Sequence, residues 1–572
     1  MVGKVESSIF KCIDDKRSFI IEAGAGSGKT WTLVQSLFYI IETQGTYLRK
    51  MNKRIACITY TNVAKEEIIE RIKADDLVVV RTIHDFLWDI IKPFQMELKS
   101  ELVNLIKEKA LKKAETVRSS KPTTKKYKEA AEALAKYNDT LEELEKFKGE
   151  IQYREFYNRK SGIVSHDDIL WIANAIMKNY PVIHKIIEDT YPIIFIDEYQ
   201  DTDKNIAETI LETLKPNTNI VFGFFGDYFQ QIYWGSIGKI DSAKYGLEVI
   251  PKDENYRCSI EVINLLNKLR NDITQRQTGE PKRGKCICYY VNNNETDTEE
   301  FIDRYIKKDF ALAPESELKK LYLVTKTIAK KNGYYELHEL YDEENKNIEH
   351  RREKRKDQLL KNKENRDCPF ANFLYDIEEM VELFNENRIQ LLLKKTTYEI
   401  SCFNDKIQLN KNLSELKDLT GSGTIKDVLE FVWDRNLLPA PEKLKVYFKD
   451  KGLQDDFFYT LMCLPYVQFR NLYYTVKKTS PFSTNHGTKG AEYDSVVCFI
   501  DDNDWISSYN FNNYFDKTDE GTARFNKTKN LFYVICSRAK YNLAIVILSA
   551  LSNESIIRLK DWFGEENFIP IK

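Results

Sequence analysis

Residues 19–33, "FIIEAGAGSGKTWTL", run from an apolar stretch through a glycine-rich loop into a helical pattern. Few folds accept that order. Gly24, Gly26 and Gly28 let successive backbone N–H groups turn inward, as a bound anion requires. Lys29 stands where an ammonium reaches β- and γ-phosphates, and the Thr30 hydroxyl suits Mg²⁺. A helix starting here adds its positive end. Ala23 holds the first loop position, where the strict pattern has Gly. Gly24, Ala25, Gly26, Ser27, Gly28, Lys29 and Thr30 are therefore the candidate cradle for ATP and Mg²⁺. Such a loop belongs after a strand of a parallel sheet.

The flanking pattern agrees. "RSFIIEA", "RIACITYT" and "DLVVVRTIH" alternate with helical stretches, and "YPIIFIDE" and "NIVFGFFGD" extend the series. A second set comprises "KCICYYV", "KLYLVTKT", "YDSVVCFI" and "NLAIVILS". Lys/Glu-rich helical stretches interrupt both. At 572 residues the chain exceeds one hydrophobic core. We expect an α/β protein of two parallel-sheet domains, each with a helical insertion. The first takes residues 1–91 and 164–250, with insertion 92–163. The second takes residues 251–335 and 480–572, with insertion 336–479. The basic run "RREKRKDQLLKNKENR", 351–366, reads as a solvated helix or mobile segment.

Net charge is −2, so any nucleic-acid contact must be a local patch or groove. Ten cysteines without paired CxxC motifs point to reduced thiols and a cytoplasmic protein. No apolar run approaches the roughly 20 residues that span a bilayer, so no membrane association is expected.

Two further stretches carry chemistry. In "IIFIDEYQDTD", Asp197 ends an apolar run and suits Mg²⁺, directly or through water. Glu198 beside it is the natural general base for a water attacking the γ-phosphate. In "GDYFQQIYWG", residues 226–235, carboxylate, amides and large rings follow a core strand, as if charge and flat surface were read together.

These stretches resemble the UvrD/Rep family of superfamily 1 helicases. "AGAGSGKT" and "DEYQDTD" are similar to its two nucleotide motifs. "ITYTNVAKEEIIERI" (58–72), "RTIHDF" (81–86), "GDYFQQIY" (226–233), "NYRCS" (255–259), "STNHGTKGAEYDS" (483–495) and "NLFYVICSRAK" (530–540) follow in family order. The resemblance implies two RecA-like motor domains with ATP between them. Tyr256 would stack on adenine, Arg257 and Arg538 would reach the γ-phosphate, Gln230 would sense it, and Glu492 would contact the ribose. Thr59, Tyr60, Thr61, Asn62, Thr82, His84, Tyr233, Trp234, Thr484 and His486 would line the single-stranded DNA path. Movement would run 3′ to 5′, with unwinding or remodelling of duplex DNA.

The departures are specific. No Gln precedes Gln35, so the family's adenine-reading glutamine is missing. Val63 replaces a common Lys, and Lys529 and Asn530 stand where an Arg pair is usual. In Tyr233-Trp234-Gly235-Ser236 the Trp is shifted and an Arg is lost. A second reading is a DNA- or nucleotide-sensing regulatory ATPase subunit of a nuclease complex. Compact UvrD-like proteins of this kind occur beside OLD-family nucleases in Gabija-type anti-phage defence, and this chain looks similar to them. A non-catalytic scaffold is disfavoured, because Lys29, Thr30, Asp197, Glu198, Arg257 and Arg538 are all present.

Overall fold

The apolar runs form strands because each is short, rich in β-branched or aromatic residues, and covered on both faces. In the computed structural model β1 (Phe19–Ala23), β2 (Ile55–Thr59), β3 (Val78–Thr82), β4 (Ile193–Asp197), β5 (Val221–Gly226) and β6 (Glu248–Lys252) form one sheet, ordered β3-β2-β4-β5-β1-β6. Every pairing in it is parallel. The edge strand β6 has no apolar run, which is why the sequence did not reveal it: Val249 is exposed while Ile250 and Lys252 are buried. The structure describes residues 3–154, 158–233, 235–293, 295–313, 316–322, 325–347, 369–439, 456–477, 482–484, 491–504 and 509–571.

Alternate strand residues face opposite sides of the sheet. Phe19, Ile21 and Cys57 pack with Ile9 and Ile13 of α1 (Lys4–Asp14), Leu33 and Leu37 of α2 (Lys29–Lys50), and Ile68 of α3 (Asn62–Arg71). Ile20, Ile58 and Phe224 face the other way, toward Phe86 and Leu87 of α4 (Ile83–Ile91). The long helices α5 (Gln95–Ser119) and α6 (Lys125–Lys146) form the insertion, and α5 turns Leu98, Leu102, Leu105 and Ile106 toward that same core. α7 (His166–Asn179) returns the chain to the sheet.

The chain divides into two compact units. One comprises residues 1–287, 509–543 and 552–568, and the other residues 288–508, 544–551 and 569–572. Segments assigned from sequence to the second motor domain, 251–287 and most of 509–568, thus fall in the same compact unit as the first sheet. The reason is a set of hydrogen bonds to the loop after β1, described below.

A second sheet is built from β7 (Cys286–Tyr290), β8 (Leu318–Tyr322), β9 (Phe482–Thr484), β10 (Tyr493–Ile500), β11 (Ala539–Ile547) and β12 (Phe568–Pro570), ordered β9-β8-β10-β11-β7-β12. β8 runs parallel to both of its neighbours. Between β8 and β9 the described chain is helical, including Tyr335–Asn347, Pro369–Asn385, Phe403–Ser422, Ile425–Asp434 and Tyr466–Val476. The basic run 351–366 lies outside the described residues.

One buried carboxylate clamps the first insertion. Asp168, near the start of α7, accepts from Arg159 Nε at 2.8 Å, Arg159 Nη2 at 2.9 Å and Lys109 Nζ of α5 at 3.3 Å. Burial alone would raise this carboxyl, but the Arg159 bonds and the neighbouring charges hold it below the usual range. Asp168→Ala strands two cations and is expected to cost about 3–5 kcal/mol. It should lower the melting temperature and open residues 95–164 to protease. An unchanged melt and digest would refute the clamp.

Candidate nucleotide and nucleic-acid site

The parallel sheet brings the motif loops to the carboxyl ends of its strands, where open α/β sheets bind ligands. The loop after β1 ends on Gly26 and Gly28, both left-handed at φ 72° and 77°, before α2 starts at Lys29. Its glycines are enforced by neighbours. A Cβ on Gly24 would sit 2.2 Å from the Gln275 carboxamide, and one on Gly26 would sit 2.7 Å from Arg257 Cβ and Asn255 Oδ1. The Ala25 carbonyl accepts from Asn255 Nδ2 and Gln275 Nε2, each at 2.9 Å, and Ala25 N–H donates to the Tyr533 hydroxyl at 3.2 Å. Tyr256 N–H donates to the Gly26 carbonyl at 2.9 Å. The Tyr256 ring, 49% exposed, lies beside Gly28 with part of its surface open. Beside the loop α1 brings buried Glu6, which accepts from Thr32 Oγ1 at 2.9 Å and lies 3.7 Å from Lys252 Nζ.

Asp197 is buried at the end of β4. Its Oδ1, like the hydroxyl of buried Ser27, has no hydrogen-bond partner. Burial, then the adjacent Glu198 charge, push the Asp197 carboxyl up to about 7, against the pull of Lys29. An oxygen so placed fits a divalent cation with phosphate. Among the described residues no group of three or more His, Cys, Asp and Glu gathers as a metal cage. Mg²⁺ needs none, because it is usually held by one or two carboxylates, phosphates and water. Glu198 adopts φ 48°, ψ 44°, a left-handed backbone costly for a non-glycine residue. Its carboxylate accepts from Gln200 Nε2, and the other end of that amide accepts from Asp227 N–H at 3.1 Å.

The loop after β5 joins these groups to the arginines. Gln230 is buried, donates to Asp227 Oδ2 at 2.9 Å and accepts from Arg538 Nη2 at 3.2 Å. Burial, then the positive charge of Arg257, push the Arg538 guanidinium down to about 10. Two like charges held this way favour an anion between them. Asn530, at one position of the usual Arg pair, donates to the Gln231 carbonyl at 3.0 Å and steadies this loop.

The residues expected along the DNA path fare unequally. Tyr60, 38% exposed, and Tyr233 place their ring centroids 5.0 Å apart. Asn62 opens α3 beside them. Thr59 is buried, with its hydroxyl donating to the Thr61 carbonyl at 3.2 Å. Thr61 and Thr82 accept from Ala64 N–H and Asp85 N–H as helix caps. His84 packs 4.8 Å from the His166 ring, and burial, then that neighbour, lower its pKa to about 4. It is neutral near pH 7 and cannot serve as a phosphate-binding cation. Glu492 is exposed in the second unit, and Thr484 ends β9. Trp234 and His486 lie outside the described residues. Asn255, Gln275 and Tyr533 carried no spacing signal of their own.

An AAA domain family model matches residues 7–236. The chain is 28% identical to a "Gabija protein GajB" of Bacillus cereus (strain HuB5-5), over 98% of this chain and 97% of that protein. It is 26% identical to an "ATP-dependent DNA helicase Rep" of Buchnera aphidicola subsp. Schizaphis graminum over 56% of this chain, and 22% identical to "DNA helicase II" of Escherichia coli (strain K12) over 51%. Those alignments span 54% and 44% of the two helicases, about half of their length.

The buried Asp197 charge is expected to destabilise the nucleotide-free protein. A carboxyl raised from 3.8 to about 7 on folding makes stability fall as pH rises through that window. Asp197→Asn should therefore melt several degrees higher than the native chain above pH 7, the gain shrinking as pH falls toward about 4. Equal melting at all pH values would contradict the burial cost.

Proposed function

We infer that this chain, which belongs to the UvrD-like superfamily 1 helicases, is an ATP-dependent DNA helicase that cleaves ATP at the loop after β1. The observation carrying this reading is convergence within one compact unit: the phosphate loop, Asp197, Glu198, Gln230, Arg257 and Arg538 meet there, and the Gln230 loop ends beside Tyr60. In this reading the loop amides and Lys29 hold the phosphates. Glu198 takes the proton of the attacking water. Arg257 and Arg538 stabilise charge on the γ-phosphate, as arginine fingers do. Tyr256 stacks on the base. Thr30 and Asp197 would hold Mg²⁺, which would supply positive charge to offset that of the phosphates.

Tyr60 and Tyr233 supply flat surfaces that accept any base of a single strand. Thr61, Asn62 and Thr82 lie on the same rim and belong to the proposed DNA path. Thr59, being buried, would support that path from behind, while half-buried His84 stays a candidate contact that carries no positive charge near pH 7. The motor boundaries read from sequence remain part of the proposal, with residues 253–278 and 523–543 working from within the first unit. Translocation 3′ to 5′ remains part of the proposal, to be read with 3′- and 5′-tailed duplexes.

The match along almost the whole Gabija protein supports a role in anti-phage defence beside a separately encoded nuclease, of OLD-family type in our reading. The described cysteines are all free, and no described helix is long and apolar enough to cross a membrane, in keeping with a cytoplasmic setting. The sensing-subunit alternative is not favoured, because relatives carry the name ATP-dependent DNA helicase.

Single-stranded DNA should raise ATP turnover many-fold. Lys29→Ala and Glu198→Gln should each abolish it, and Gln230→Ala should bind both ligands yet lose the stimulation. Hydrolysis intact in the first two variants would sink the reading. Because protons compete with Mg²⁺ for Asp197, half-maximal Mg²⁺ should be higher at pH 6 than at pH 8, on the acid and alkaline sides of about 7. A pH-independent requirement would remove Asp197 from the metal site.

A further inference from the structure

Arg270 belongs to none of the motifs, yet its side chain is almost wholly buried, a costly position unless every charge is matched. Nε and Nη2 donate to the two Asp272 oxygens at 2.7 and 2.8 Å. Nη1 donates to the Tyr533 hydroxyl at 2.8 Å, and Nη2 lies 3.5 Å from Asp227 Oδ1. The guanidinium also lies over the rings of Phe229 and Tyr533, 4.8 and 5.4 Å from their centroids. Burial would raise the Asp272 carboxyl, but the Arg270 bond and charge hold it below its usual range. Asp272 thus stays ionised and anchors the arginine.

The other two partners of Arg270 lead to opposite ends of the site. Tyr533 accepts the Ala25 N–H of the phosphate loop at 3.2 Å. Asp227 accepts from Gln230, which contacts Arg538 and lies three residues before Tyr233. One buried cation therefore stands between the loop that would hold phosphate and the loop that ends beside Tyr60. At low dielectric neither contact is given up without leaving a charge or dipole unmatched, so a shift at one loop is felt at the other.

We propose that Arg270 and Tyr533 are positioning residues that couple the phosphate loop to the Gln230 loop, so that nucleotide state and strand grip change together. This rests on the motor reading above. It assigns a task to two side chains that touch neither substrate.

Tyr533→Phe tests it with little disturbance, since the ring stays and only the hydroxyl goes. DNA-stimulated kcat should fall about ten-fold, a usual size for coupling between linked sites, while KM for ATP rises less than kcat falls and the variant, though it melts lower for want of the hydroxyl, stays folded at the assay temperature. Arg270→Lys, which keeps the charge but not the fork, should lose stimulation in the same way. Tyr533→Phe combined with Gln230→Ala should be no slower than the slower single variant, because members of one network are not additive. Full stimulation in Tyr533→Phe and Arg270→Lys, losses that multiply in the double variant, or loss of turnover that follows unfolding at the assay temperature would each overturn the proposal. Native protein that DNA does not stimulate would overturn the motor reading and this coupling with it. Native stimulation with unaffected variants would overturn the coupling alone.

Discussion

The peptide of Ala25 is the constraint on which the site depends. Its carbonyl accepts two side-chain amides and its N–H meets a phenol, from residues 230, 250 and 508 positions away. A glycine-rich loop has high backbone entropy when free. Three bonds to one peptide hold that loop in shape before any ligand arrives, and they recruit segments 253–278 and 523–543 to the first sheet. The missing Cβ atoms of Gly24 and Gly26 are what let Gln275, Asn255 and Arg257 approach so closely. Phosphate binding and assembly of this unit thus require the same backbone.

Electrostatics add direction to that frame. The side of Asp197 and Glu198 carries more negative charge than its burial favours, and the side of Arg257 and Arg538 more positive charge. In the proposed reading a nucleotide with its cation would relieve both, the cation at the carboxylates and the phosphates at the arginines. Gln200 and Gln230, neutral and buried, carry hydrogen bonds between the two sides without adding charge of their own.

The sequence revealed most where chemistry restricts both residue type and spacing. Gly24, Lys29, Asp197 and Glu198 could be read from a handful of positions because a phosphate and a metal accept few substitutes. The first sheet was legible in five strands for a different reason, since burial selects short apolar runs, completely so in β2, β4 and β5. β6, at the edge, lacks that run. Asn255 was legible as part of "NYRCS" but not as the donor to Ala25, because amide and phenol braces have no fixed spacing and act across hundreds of residues. Thr59 was read as an open group because a motif gives order along the chain, not depth beneath the surface. Arg270 had no signal at all: a buried arginine looks in sequence like any surface arginine.

The departures from family pattern also find a physical place. With the usual Arg pair absent, Asn530 supports the Gln230 loop by donating to the Gln231 and Tyr228 carbonyls, and Lys529 lies over the Phe229 ring at 4.5 Å. Phe229 in turn packs against Arg270 and against Tyr533, 5.5 Å between ring centroids. Support supplied elsewhere by added charge comes here from amide donors and ring stacking around one buried arginine. Such a network is short and buried, so it transmits small displacements well and tolerates few substitutions. The Gln230 loop is therefore held at several points, although the sequence at its tip differs most from the family's usual one.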